Sequence, residues 1–325
     1  MQLVTYRLRD GGDRARVGAL VGRQVIGMDD ACDALGSGGD AVASLPGSLL
    51  EILRVEQGVE TVTRAVAHAA AQRLPGLELD DIRLCAPLPR PNSIRDFMLV
   101  EEHVLNSFGA VPPEWYEIPV YWKGNCDAVF GPDDVIPWPS YTDQLDFELE
   151  VAAVIGRETF RVSVEEAAGS IVGYTIFNDW SARDIQLREM KVGLGPGLGK
   201  DFATSIGPCL VTPDSFDVSS ARLAARVNGE QWSHGTLGPM RFSFPEVVAH
   251  LSQQQRLMPG DVLGSGTVGR GCGLELDRWI RPGDVVELEV EGIGVLRNTV
   301  GAKQERHESI AGNVKLVRAS ASGAS

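Results

Sequence analysis

The residues from Leu145 to Gly156, LDFELEVAAVIG, constrain this chain more than any other stretch. Asp146, Glu148 and Glu150 alternate with Leu145, Phe147, Leu149 and Val151. Alternate residues of a β-strand share one face, about 7 Å apart, so the pattern predicts three carboxylates on one face and apolar side chains on the other. Ala152 to Ile155 are apolar on both faces, as in a strand buried on both sides. The acidic row then sits at the mouth of an interior. Carboxylates crowded there repel one another and lose solvation. A divalent cation resolves both costs, and all-oxygen ligation suits Mg²⁺, Mn²⁺ or Ca²⁺. A solvated outer face of an edge strand explains the alternation equally well.

At 325 residues the chain suffices for one large domain and a small one. Hydrophobic residues make up 43%, enough for a sizeable core and too many for global disorder. The net charge of −14 argues against nucleic acid and anionic membranes as partners, because both favour basic patches. A small anionic substrate remains compatible, since one local cation reverses the field in a pocket. Cys32, Cys85, Cys126, Cys209 and Cys272 are odd in number, far apart and without a CxxC pair, which argues against a disulfide framework and a structural zinc site. The opening MQLVTYRLRDGGD reads as a strand and a Gly-Gly turn, not an apolar leader. No apolar run approaches the ~20 residues of a membrane span. A reducing cytoplasm is the default expectation.

Met1–Arg7 reads as a strand, and Arg16–Met28 as a hairpin turning near Gly22-Arg23. Pro46–Leu74 carries apolar residues at three- and four-residue spacing and predicts one helix, on which His68 stands without partners for a site. The proline-rich Leu84–Pro91 marks a domain boundary. The expected organisation is a small domain over 1–84, a catalytic domain over 85–318 and a disordered tail over 319–325.

Asn92–Phe108 predicts a charged helix with Phe97, Val100, Val104 and Leu105 inward. Asp96 and His103 are seven residues apart, two helical turns, and so share a face. His103 as a general base requires a partner to orient its imidazole. Lys123, between Trp122 and Gly124, either enters a pocket as a substrate contact or points to water. Ser163–Ser170 predicts a short helix with a capping box from Ser163 and Glu166. Val172–Phe177 is a buried strand ending at Asn178-Asp179. Asp179 is there either a ligand or the N-cap of a helix that places Asp179, Arg183 and Gln186 near one face.

Gly193–Asp201, GLGPGLGKD, fails the GxxxxGK[ST] spacing of a phosphate loop but still delivers Lys200 toward a bound anion. Gly264–Gly269 matches GxGxxG without the apolar helix that a dinucleotide site needs. Val285–Val290 and Gly294–Val300 predict a hairpin, and Glu275 is a polar residue inside an apolar strand.

Taken together, these segments resemble the fumarylacetoacetate hydrolase family. The resemblance rests on Arg95-Asp96-Phe97 with His103, the Asp-x-Glu-x-Glu strand at 146–150, Phe177 to Asp184, Leu198-Gly199-Lys200, Gly264 to Thr267 and Gly273 to Leu276. It spans about residues 85–300 and is specific for the family, not for a substrate. It implies an α+β, β-rich fold: a mixed β-roll behind a small N-terminal α/β domain, commonly a homodimer. It implies that Glu148, Glu150, Asp179 and Asp96 hold a divalent ion, usually Mg²⁺. It further implies that His103 is the base, oriented by Glu275, and that Arg183, Gln186, Lys200 and Thr267 meet substrate. Where fumarylacetoacetate-specific members carry tyrosines, this chain has Met98 and Met190, which cannot donate those hydrogen bonds.

The leading expectation is metal-dependent hydrolysis of a carbon–carbon bond in a β-diketo acid. Water activated by His103 attacks the carbonyl, and Lys200 faces the enolate charge that follows. The alternatives are decarboxylation or tautomerisation of an oxo acid such as oxaloacetate on the same site, and non-catalytic binding of dicarboxylates.

Overall fold

The computed structural model describes residues 1–12, 14–37 and 45–305. The expected tail, residues 319–325, lies outside the described residues. The fold is α+β and β-rich, built on two mixed sheets packed face to face. The larger sheet has twelve strands. Along its main path lie Leu77–Glu78, Gln24–Gly27, Arg16–Val21, Gln2–Leu8, Thr204–Val211, Ile171–Asp179, Leu149–Ile155, Asp261–Gly264, Ser93–Phe97 and Tyr121–Gly124. The N-terminal strands and the site-bearing strands thus share one ladder, joined where Gln2 pairs with Val211 and Leu3 with Leu210. A second sheet of five strands contains Arg222–Val227, Val285–Val290 and Gly294–Lys303. No helix of the described residues is long and apolar enough to cross a membrane.

Leu149–Ile155 is buried along its whole length. Val151, Ala153 and Ile155 join the core shared with Leu223, Leu288 and Leu296 of the five-stranded sheet. Ala152 and Val154 face the other way, into a core with Ile52, Leu53 and Val62 from the N-terminal helices. Each valine, leucine or isoleucine side chain so enclosed contributes about 1.5–3 kcal/mol, which is why the run carries no polar residue after Glu150.

The acidic stretch is not one strand. Leu145–Asp146 pairs with Ser181–Ala182, and the ladder resumes at Leu149 after a break in which Glu148 bridges Cys272. All three carboxylates are buried, so the solvated-edge account fails. Asp146 is diverted from the row. Its carboxylate accepts from the backbone amides of Gly273 at 2.7 Å and Leu274 at 3.0 Å.

Other expectations are corrected too. Pro46–Leu74 forms two helices, Leu49–Arg54 and Gly58–Ala71, because Gln57 takes a left-handed φ of 59° and the chain turns sharply. A Cβ at Gly58 would lie 2.1 Å from the Ile52 carbonyl oxygen, so glycine is required there. Asn92–Phe108 is a strand, Ser93–Phe97, followed by a helix, Glu101–Phe108. Asp96 and His103 reach the same cleft through that strand–helix turn and not as two turns of one helix, and Leu105 faces outward. Glu275 sits in a short helix, Gly273–Leu276, not a strand. Asp179 is the last residue of its strand, and the following helix begins at Arg183, so the N-cap alternative fails. The capping box at Ser163 and both hairpins form where expected.

Candidate active site

Asp96, Glu148, Glu150 and Asp179 meet beneath one cleft, all buried. Oxygens of the first three lie within 4.8 Å of one another. Asp96 comes from the strand that runs parallel to Asp261–Gly264, and its Oδ2 accepts from Trp122 Nε1 at 3.1 Å. Glu150 accepts from the Gly266 amide at 2.9 Å and from Thr267 Oγ1 at 3.3 Å. Glu148 accepts from Arg183 at 2.7 Å and from Lys200 at 2.6 Å. Lys200 also donates to Asp179. Asn178 Oδ1 fixes the Glu148 backbone amide at 2.9 Å.

Charge is unbalanced here. With Asp146, five buried carboxylates face two cations, Arg183 and Lys200. Burial opposes the charge on Glu148, but Lys200 and Arg183 outweigh it and hold this carboxyl below its usual range. Burial and then Asp96 push Glu150 well above that range. Burial likewise raises Asp179, against Lys200, and raises Asp96. Lys200 and Arg183 are themselves raised, their burial being outweighed by Asp179 and Glu148 for the lysine and by Glu148 and Asp146 for the arginine.

The donor set fits a hard divalent ion. Asp96 Oδ1 and Asp179 Oδ1 are buried with no hydrogen-bond partner, and unsatisfied buried oxygens of this kind are rare. Carboxylate oxygens alone suit Mg²⁺, Mn²⁺ or Ca²⁺. Gly264 is the floor of the cradle. A Cβ there would lie 2.3 Å from Asp96 Oδ1 and 3.2 Å from Glu150 Oε2.

His103 opens on the same cleft and donates from Nδ1 to Glu275 Oε2 at 2.8 Å. Burial opposes the Glu275 charge, but His103 overcomes it and holds the carboxyl below its usual range. An ionised Glu275 can only accept, so the neutral imidazole carries its proton on Nδ1 and has its lone pair on Nε2. Asn106 Nδ2 and the Arg270 amide donate to Glu275 Oε1, at 3.0 and 2.9 Å, and the Cys272 thiol donates to Oε2 at 3.3 Å.

Arg183 is anchored by Asp146 at 2.9 Å and donates to Gln186 Oε1 at 3.0 Å. Gln186 and Thr267 line the cleft, as do Met98 and Met190. Lys123 does not. It follows Trp122 on the Tyr121–Gly124 strand, where neighbours point to opposite faces, and it is exposed. His68 joins no group of potential metal ligands among the described residues. Sequence reading missed Trp122, Asn178, Asp146 as the arginine anchor, and Cys272. Only Asp146 carried a signal, as the third member of the alternating row.

The cleft holds about 230 Å³, below the roughly 300 Å³ at which ligand pockets ordinarily start. Residues 93–301 match the family model described as fumarylacetoacetate (FAA) hydrolase, C-terminal. The oxaloacetate tautomerase YisK of Bacillus subtilis is 32% identical over 274 residues, covering 79% of this chain and 88% of that protein. The mitochondrial oxaloacetate tautomerase FAHD2A of Bos taurus is 34% identical over 263 residues, covering 79% of this chain and 81% of that protein. Among solved structures, the fumarylacetoacetate hydrolase of Exiguobacterium antarcticum matches with a TM-score of 0.72 at 27% identity, over 93% of this chain and 100% of that one.

Proposed function

The chain belongs to the fumarylacetoacetate hydrolase family, and from that premise we propose that it interconverts the enol and keto forms of a 2-oxo acid, with Mg²⁺ as its resident ion. The observation that carries this reading is the His103–Glu275 pair opening on the same cleft as the carboxylate cluster. Tautomerisation moves one proton between the 2-oxo oxygen and C-3. It needs a base beside C-3 and positive charge beside the oxygen.

On the way to the enol His103 Nε2 takes the C-3 proton and then gives it up to the 2-oxo oxygen; on the way back it takes the proton from that oxygen and delivers it to C-3. Glu275 stabilises the imidazolium formed in between. Asp96, Glu148, Glu150 and Asp179 would hold the ion, which supplies Lewis-acid polarisation of the oxo group. Lys200 makes two bonds with three N–H groups, so one remains for a substrate oxygen. Arg183, held by Asp146 and Gln186, orients the substrate carboxylate. Thr267 positions Glu150.

The names of the two curated relatives support tautomerisation over the hydrolysis expected first. Hydrolysis of a diketo acid is the second reading. It is supported by the same base pair, which can activate water, and by the likeness to the Exiguobacterium enzyme. The five free cysteines support a reducing compartment such as the cytoplasm, and membership of the family is the support for a homodimer.

The test is to give the Mg²⁺-loaded protein the enol form of a 2-oxo acid and follow enol absorbance alongside product mass. Enol loss at unchanged mass, abolished in His103→Ala, is expected. Carbon–carbon fragments would establish hydrolysis instead, and full activity in His103→Ala would remove the base assignment.

A further inference from the structure

The charged side chains that line the cleft are all buried, whereas its exposed lining side chains are apolar, and Gln186 and Ser107 are half-buried, uncharged polar members of the lining. The cleft's inner end holds the carboxylates, Lys200, Arg183 and His103. Its outer wall is made by Phe108, Val120, Leu187, Met98 and Met190, with Pro196 at the rim. Phe108, Val120 and Leu187 are 46%, 39% and 41% exposed, a large apolar share for surface side chains. Among the described residues lining the cleft, Arg183 and Lys200 are the only cations. Both are buried at the inner end and tied to carboxylates, Arg183 to Asp146 and Glu148 and Lys200 to Glu148 and Asp179. At the rim, the carboxylate of Glu189 accepts from the amides of Gly197, Leu198 and Gly199 and adds negative charge beside the opening.

A 2-oxo acid that lays its first carboxylate and oxo group against the inner end points its C-4 substituent at this wall. A second carboxylate there would lose water without meeting a cation, which is costly. An alkyl group would be buried instead, gaining roughly three- to fourfold in binding per methylene. From this asymmetry we infer that the site selects a 2-oxo acid bearing a single carboxylate and an uncharged, apolar group at C-4. It discriminates against oxaloacetate, the dicarboxylate in the names of the curated relatives. The inference rests on the reading of the site as an enol–keto tautomerase, and it assigns the discrimination to Leu187, Met190 and Phe108.

The decisive probes are oxaloacetate and its 4-ethyl monoester, which share the reacting carbons and differ in charge at the far end. With the Mn²⁺-loaded protein, kcat/KM for tautomerisation is expected to favour the monoester by at least tenfold. Leu187→Arg, on the exposed face of its helix, is expected to move that ratio at least tenfold toward oxaloacetate. Equal or greater kcat/KM for oxaloacetate in the unmodified protein overturns the inference. Calorimetric binding of the same two ligands to the Mn²⁺-loaded His103→Ala protein separates this from the reaction class. A tenfold tighter monoester without turnover in the unmodified protein would support the specificity and remove the tautomerase reading. Equal affinities accompanied by equal turnover would remove the specificity and leave the tautomerase.

Discussion

Replacing Glu275 by glutamine tests the proton path with almost no change of volume. The side chain is enclosed and receives four donors: His103 Nδ1 and the Cys272 thiol on Oε2, Asn106 and the Arg270 amide on Oε1. Glutamine offers one oxygen and one NH₂, so whichever way it turns, its NH₂ confronts two donors. Facing His103, the NH₂ would draw the lone pair to Nδ1 and put the proton on Nε2, where the base should be. Facing Asn106 and Arg270, it leaves a neutral acceptor for the imidazole. Either way one hydrogen bond to a charged group is lost, worth about 1.5–3 kcal/mol. If that bond matures in the transition state, kcat should fall roughly 10- to 150-fold. The assay is the enol–keto rate at saturating ion, with a thermal melt to establish that the variant folds. A folded variant whose kcat stays within threefold of the parent would refute the reasoning. The same carboxylate gives a pH signature. Its pKa is held below the ordinary value, so its stabilisation is present above the unfolded pKa of about 4.3 and is lost as pH falls through the lower folded value. The stability gap between parent and variant should therefore hold at neutral pH and close in acid.

Mg²⁺ or Mn²⁺ should raise the melting temperature and chelation should lower it. That shift should grow from pH 5 to pH 8, because Glu150, Asp179 and Asp96 are raised and must give up protons to bind the ion. A shift independent of pH in a thermal scan would count against these ligands. Gly264→Ala touches no proposed ligand bond, yet its Cβ would displace Asp96; calorimetry should show ion affinity reduced about 10- to 100-fold, as for loss of a ligand-orienting contact. Asp146→Ala leaves Arg183 buried with Glu148 as its one carboxylate partner, and denaturant unfolding should show a loss of about 3–5 kcal/mol.

How much of this was legible depended on the range of the interaction. The capping box at Ser163 and the hairpin of Val285–Val290 with Gly294–Lys303 are set by neighbours in sequence, and both formed where the residue types indicated. The convergence of Glu148 and Glu150 followed from alternation, but the diversion of Asp146 did not, because its partners Gly273 and Leu274 lie 127 and 128 residues away. The helix read through Asn92–Phe108 failed for a similar reason. Ser93–Phe97 is claimed by the parallel strand Asp261–Gly264, and that pairing overrides the helical spacing of Phe97, Val100 and Val104. Trp122 as a donor to Asp96 and Asn178 as a clamp on Glu148 carry no local signature at all, since each acts through a cross-strand contact.

His103 and Glu275 are 172 residues apart in the chain, and Glu148 is 52 from Lys200. None of these pairs can exist in a partly assembled sheet. During refolding, far-UV ellipticity reports local helices and hairpins, whereas turnover waits for the slowest long-range ladders to close. Recovered catalysis is therefore a clock for the final stage of assembly in this protein, and should lag the recovery of secondary structure.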